Sequence, residues 1–190
     1  MSTLNPASES LKTLFVDRDG TLVGTCNANF GAYSAALRHF RMKSPSDLKE
    51  RFHQGKSWEQ ISKEVLPSLD KKVLEEIHNY KQAIFPSFFS QLNWNEEILK
   101  LLSRHNWALV SNGSRTSSLE ILSQKSNLTP FAVVGPSATL RPKPSPDMFS
   151  YLLTKERLNH NTILVLEDSI TGGEAAKLAG LSYKIVSHLC

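Results

Sequence analysis

Apolar residues occur in two rhythms along this chain. Short, near-continuous runs, Leu14-Phe15-Val16, Trp107-Ala108-Leu109-Val110, Phe131-Ala132-Val133-Val134 and Ile163-Leu164-Val165-Leu166, each end at acidic, amide, Ser or Gly-Pro residues. Runs of that length bounded by turn formers predict buried strands, and Tyr183 to Val186 predicts a last, shorter one. Between them, apolar positions recur three and four apart (Ile98, Leu101 and Leu102; Leu119 and Leu122; Met148, Phe149 and Leu152; Ala175, Ala176 and Ala179), which predicts helices. Ser145-Pro146 predicts an N-cap followed by Pro at the first helical position, and Gly180 the residue that stops the last helix. Strand and helix alternate, and the strands are apolar on both faces. That combination predicts an α/β fold: a doubly wound, Rossmann-like parallel sheet with helices on both sides.

The stretch 25–89 breaks the alternation. It shows no strand pattern but three helical stripes: Phe30, Tyr33, Leu37 and Phe40; Trp58, Ile61 and Val65, opened by a Ser57–Gln60 capping box; and Val73, Ile77, Tyr80 and Ile84, stopped at Pro86. The chain therefore predicts a core of residues 1–24 and 90–190, with 25–89 as a small inserted helical cap domain. An insertion straight after the first strand is well placed for a lid, because open α/β sheets bind ligands outside the carboxyl ends of their strands.

Composition narrows the class. With 190 residues, 40% of them hydrophobic, the chain has enough apolar surface for a core and is not a disordered one. No apolar run approaches a membrane span, and MSTLNPASESLKT lacks the basic and apolar blocks of a signal peptide, so a cytoplasmic protein is expected. Cys26 and Cys190 are read as two separate thiols without a disulfide framework, and no neighbour activates Cys26. The formal net charge of +4 is too small an excess to imply nucleic acid or membrane as partner.

Chemistry enters with the residues after each strand. The first is followed by Asp17 and Asp19, the second by Ser111 and Asn112, the third, past a loop, by Lys143, and the fourth by Glu167 and Asp168. Parallel strands bring all of these to one edge of the sheet. Four clustered carboxylates repel unless a cation sits among them, and an all-oxygen donor set suits a hard ion such as Mg²⁺. The implied reaction is phosphoryl transfer. A carboxylate with an ordinary pKa of about 4 is ionised at neutral pH and attacks phosphorus without an activating base. Ser111 Oγ, the Asn112 N–H and the Lys143 ammonium are donors for the equatorial oxygens, and Asp19 suits the general acid and base.

These segments resemble a known family. Asp17-Arg18-Asp19-Gly20-Thr21-Leu22 is similar to the first motif of the haloacid dehalogenase (HAD) superfamily. Leu109-Val110-Ser111-Asn112 resembles its second, Lys143-Pro144-Ser145-Pro146-Asp147 its third, and Val165-Leu166-Glu167-Asp168-Ser169 with Gly173 its fourth. The order is the family's, and the helical insertion resembles the C1-type cap of the phosphoglycolate phosphatase and β-phosphoglucomutase branch. The resemblance implies Asp17 as the nucleophile that becomes an aspartyl phosphate and Asp19 as general acid and base. It implies Mg²⁺ held by Asp17, the Asp19 carbonyl, Asp168 and Glu167. It makes Gly20, Thr21, Ser111, Asn112 and Lys143 the phosphate-binding set.

Two departures bear on the branch. Gly24 stands where members often carry Asp, and Asn29 where β-phosphoglucomutases place a linker His. The expected activity is therefore a Mg²⁺-dependent phosphatase acting on a small phosphorylated metabolite, with a phosphosugar mutase as the alternative. From another class, a phospho-acceptor or phosphate-ligand binding protein remains open; receiver domains group similar residues but lack an insertion after the first strand. Within the cap, Arg51, His53 and Lys56 are candidate substrate contacts. A monomer or weak dimer is expected, with no nucleic acid and no membrane as partners.

Overall fold

The computed structural model describes residues 13–53 and 58–190. The chain divides into two compact units. One runs to Leu22 and resumes over Trp94–Leu189; the other is Val23–Asn93 together with Cys190.

The first unit is built on strands β1 (Thr13–Val16), β4 (Asn106–Val110), β5 (Ala132–Val134), β6 (Ile163–Glu167) and β7 (Ser182–Ile185). Two short strands, β2 (Val23–Gly24) and β3 (Asn93–Trp94), pair where the chain passes between units. The main sheet is parallel, in the order β5-β4-β1-β6-β7. Alternation along β1 sends Phe15 to one face and Leu14 and Val16 to the other. On the Phe15 face the core is Val110, Val165, Met148, Phe149, Leu152, Ala175 and Ala176. On the other it is Leu109, Leu166, Ile98, Leu102, Trp107 and Leu122. Helices α5 (Glu96–Leu102) and α6 (Arg115–Leu122) supply one layer, α7 (Asp147–Lys155) and α8 (Ile170–Leu178) the other. The expected doubly wound α/β sheet is the observed one.

Local details depart from the expectation by a residue or two. Helix α7 begins at Asp147 with Pro146 as its N-cap, one residue later than expected, and the Ser145 hydroxyl still receives the Asp147 N–H at 3.4 Å. The last strand lies at 182–185, and Gly180 follows α8 at φ +72°, where a side chain would be strained.

The second unit is helical: α1 (Cys26–His39), α2 (Leu48–His53), α3 (Trp58–Val65) and α4 (Lys71–Ile84). Asp70 caps α4 through the Lys72 N–H. As expected, α4 ends at Ile84, just before Pro86, which sits in the first turn of a separate 3₁₀ segment, Phe85–Gln91, where its missing N–H costs nothing. Short α2 carries Arg51 and His53, two of the cap candidates. The Ser57–Gln60 capping box lies outside the described residues at Ser57. Tyr33 is the hub of this core, stacked on Trp58 at 4.1 Å and Phe52 at 5.5 Å, with its hydroxyl 2.7 Å from His78 Nδ1. No described helix is long and apolar enough to cross a membrane.

One expectation fails outright. Cys26 and Cys190, read as separate thiols, form a disulfide across a sequence separation of 164 residues, both within the helical unit. Nothing local to either cysteine signals a partner so far along the chain.

Candidate active site

Strand β1 is central, and the chain continues to β4 on one side and β6 on the other. This is the topological switch at which such sheets bind ligands. The register sets Val16 level with Leu109 and Leu166, so the next residue along, Asp17, falls beside Val110 and Glu167. The ladder runs on past the strand ends. Asp17 N–H donates to Leu166 O at 3.0 Å and Ser111 N–H to Val134 O at 3.0 Å. The residues carrying the chemistry thus have backbones fixed by the sheet while their side chains leave it.

Lys143 fills the centre. Its ammonium is almost wholly buried and donates to Asp17 Oδ1 at 2.7 Å, to the Val110 carbonyl at 2.6 Å and to Glu167 Oε1. Three acceptors satisfy three N–H donors, which is what burying an ammonium requires. Burial pulls the Lys143 pKa down, but the Asp17 and Glu167 carboxylates outweigh it and hold it above the ordinary value. Burial also pushes Asp17 up to about 7; Lys143 opposes that rise, and Glu167 and Asp19 add to it. Glu167 is raised by burial too, against the pull of Lys143.

Asp17, Glu167 and Asp168 bring carboxylate oxygens within 4.8 Å of one another. Such a set of hard oxygen donors, with the bare Asp17 carboxyl displaced well above its ordinary range, fits a small divalent cation. Asp168 is held at both oxygens, Oδ1 by the Thr21 hydroxyl at 3.1 Å and Oδ2 by His188 Nδ1. Thr21, expected among the phosphate contacts, therefore orients a carboxylate. Gly20 is bare of necessity: at φ +81°, a Cβ there would collide with Asp168 and His188.

Ser111 is buried, and its hydroxyl receives the Gly113 N–H at 3.0 Å. Asn112 does something its position does not announce. Its carboxamide clamps the Lys143 backbone, Oδ1 accepting from Lys143 N at 2.7 Å and Nδ2 donating to Lys143 O at 3.2 Å. That pair anchors the loop carrying Lys143 to the end of β4. Asp19 turns to Arg18, whose Nε and Nη2 both reach its Oδ2.

Among the cap candidates, Arg51 is an internal brace. It donates to Asp47 Oδ2 at 2.8 Å and pairs with Glu64, tying α2 to α3. His53 Nε2 lies 3.3 Å from Asn27 Oδ1. Lys56 lies outside the described residues. Sequence reasoning missed Arg18, the Asn112 clamp and His188. All three depend on partners at least 20 residues away, except for the contact of Arg18 with its neighbour.

The haloacid dehalogenase-like hydrolase family model matches residues 14–186. The chain belongs to that family. It is 28% identical to the phosphorylated carbohydrates phosphatase of Thermotoga maritima over 191 residues, covering 94% of this chain and 87% of that protein. In fold it resembles CbbY of Rhodobacter sphaeroides in complex with phosphate (TM-score 0.77, 18% identity), over 94% of this chain and 87% of CbbY. It likewise resembles a haloacid dehalogenase-like hydrolase from Streptococcus pneumoniae (TM-score 0.76, 16% identity), over 95% and 86% of the two chains. This haloacid dehalogenase-like protein is thus a hydrolase with the family's α/β core.

Proposed function

We propose that this hydrolase is a Mg²⁺-dependent phosphatase that cleaves a small phosphomonoester through a covalent aspartyl phosphate on Asp17. The observation that carries this reading is the buried Asp17 carboxylate at the end of the central strand, 2.7 Å from the Lys143 ammonium and grouped with Glu167 and Asp168. The similarity to a phosphorylated carbohydrates phosphatase supports a phosphorylated sugar as the substrate class.

In the first half-reaction an Asp17 oxygen forms a bond to phosphorus and the ester P–O bond breaks. Asp19 gives its proton to the departing alcohol oxygen. In the second, water attacks the same phosphorus, Asp19 takes the water's proton, and the Asp17–phosphorus bond breaks to release inorganic phosphate. Lys143 remains an ammonium throughout, offsetting charge on Asp17 and on the phosphoryl oxygens. Ser111 Oγ and the backbone N–H groups of Gly20, Thr21 and Asn112 are the remaining phosphoryl donors, the Ser111 N–H being held by the Val134 carbonyl. A Mg²⁺ held by Asp17, Asp168, Glu167 and the Asp19 carbonyl supplies the positive charge that lets an anionic nucleophile meet an anionic ester. The inserted helical unit takes the part of a cap in this reading. The setting is the cytoplasm, where the thiol poise fixes how much of the Cys26–Cys190 bond is closed. The protein acts as a monomer or weak dimer, without nucleic acid or membrane.

The test is inorganic phosphate release from a panel of sugar phosphates. Release is expected with Mg²⁺, to stop in EDTA, and to be lost in Asp17→Asn by at least ~10³-fold, the scale of removing a covalent nucleophile. Equal release in the Asp17→Asn variant would refute the reading. Isomerisation of a sugar phosphate without phosphate release would identify a mutase instead.

A further inference from the structure

The residue between the two motif acids is an arginine, and its side chain turns into the fold. Arg18 is 7% exposed. A buried guanidinium carries five N–H donors that need acceptors. Two of its nitrogens, Nε at 2.9 Å and Nη2 at 2.7 Å, end on the same atom, Asp19 Oδ2. Nη1 reaches the Ser118 hydroxyl at 3.0 Å and the Ser117 hydroxyl at 3.3 Å, both on α6. The guanidinium lies against Gly113, where any Cβ would run into its atoms. One side chain thus spans from the helix after the second motif to the second acid of the first.

The consequence concerns Asp19. Its side chain is 39% exposed, so nothing in its burial alone fixes its rotamer. Proton transfer to a departing oxygen depends on placement within hydrogen-bond reach, and a small misplacement is costly. We infer that Arg18 is a positioning residue for the reaction. It grips Asp19 by Oδ2, is itself anchored on Ser117 and Ser118, and so fixes where the Asp19 carboxyl stands when it gives and takes the proton. This rests on the phosphatase reading above, and it adds a requirement which that reading lacks. The rigid two-bond fork is what matters, so lysine, with one flexible point of contact, is an imperfect substitute.

The experiment compares two substrates whose leaving groups differ in their need for a proton. p-Nitrophenolate leaves unprotonated; an alkoxide from a sugar phosphate does not. In Arg18→Met, kcat/KM for the sugar phosphate is expected to fall about 10- to 100-fold, part of the range that general acid catalysis supplies. For p-nitrophenyl phosphate, kcat/KM is expected to change less than ~3-fold. A burst of about one equivalent of p-nitrophenol should appear, because the water step then lags. Arg18→Lys is expected to fall between Arg18→Met and the wild type. The Ser117→Ala/Ser118→Ala double variant keeps the arginine, loosens its anchor and covers the case in which Arg18→Met does not fold. It should show the same substrate split at smaller size.

Equal losses on both substrates, or no loss on either, would overturn the positioning role. Failure of the phosphatase reading looks different. There the wild type itself releases no phosphate, or Asp17→Asn retains full release whatever stands at position 18.

Discussion

At the scale of single residues, the site is costly to its own fold. Asp17 is a carboxylate taken out of water next to two others, and in the bare protein its pKa rises to about 7. A raised carboxyl pKa means that the folded state binds a proton the unfolded chain has lost. Stability contributed through Asp17 therefore falls as pH climbs from about 4 towards 7 and is flat above that. Asp17→Asn removes the titration while keeping shape and a hydrogen-bond acceptor for Lys143, which retains Glu167 and the Val110 carbonyl. In EDTA the variant is expected to melt above the wild type at pH 8 and close to it at pH 4.5, by thermal unfolding followed by circular dichroism. A gain of the same size at both pH values would refute the assignment of the cost to the Asp17 charge. Much of this residue-level picture is legible without coordinates. Asp17, Ser111, Lys143, Glu167 and Asp168 each lie at or past the carboxyl end of a strand, and parallel strands must gather them. The grip of Arg18 on α6 is not legible, because Ser117 and Ser118 lie about a hundred residues on and look like ordinary helix-surface serines.

At the scale of elements, α8 shows how helix sequence serves the site. Gly172 lies in its first turns, where glycine ordinarily costs about 0.5–1 kcal/mol against alanine. Propensity alone therefore predicts that Gly172→Ala stabilises. Packing predicts the reverse, because a Cβ at Gly172 would overlap the Glu167 carboxylate, whose oxygens are already committed to Lys143 and Ser169. The carboxylate has no room to yield while holding that ammonium. Gly172→Ala is expected to lower the melting temperature by several degrees and to weaken Mg²⁺ binding, read by calorimetry. A variant that melts higher would show that Glu167 moves aside at no cost. The same contrast explains which elements could be read from the pattern. The core strands are continuous apolar runs and declare themselves, as do α1 and α4 with their stripes. Helix α2 has only Leu48 and Phe52 buried, four apart, so the six-residue segment offers one repeat of the helical period and its polar residues dominate. Pro86 is legible as the stop of α4, but the 3₁₀ segment it opens is not, because with Phe85 alone buried it shows no helical stripe.

At the scale of the whole molecule, the deciding contact is the one joining Cys26 to Cys190. Cys190 belongs to the helical unit although Leu189 before it belongs to the sheet unit, so the chain passes between the units three times, after Leu22, after Asn93 and after Leu189. Within the helical unit Cys190 packs over Gly24, where a Cβ would come within 2.8 Å of its backbone, and joins the cluster around Tyr33 and Leu37. Without the sulfur–sulfur bond, Cys190 keeps in that unit its packing and the donation of Asn93 Nδ2 to its carbonyl at 3.3 Å. A closed loop of this length, 164 residues apart in sequence, contributes up to about 5 kcal/mol in the chain-entropy model. Cys190→Ser is therefore expected to melt several degrees below the oxidised wild type and to match the wild type in reductant. Thiol titration of the denatured protein should count no free thiol before reduction and two after. Two thiols in the unreduced wild type, or identical melting of Cys190→Ser and the oxidised protein, would show that the disulfide contributes nothing to the stability of the fold.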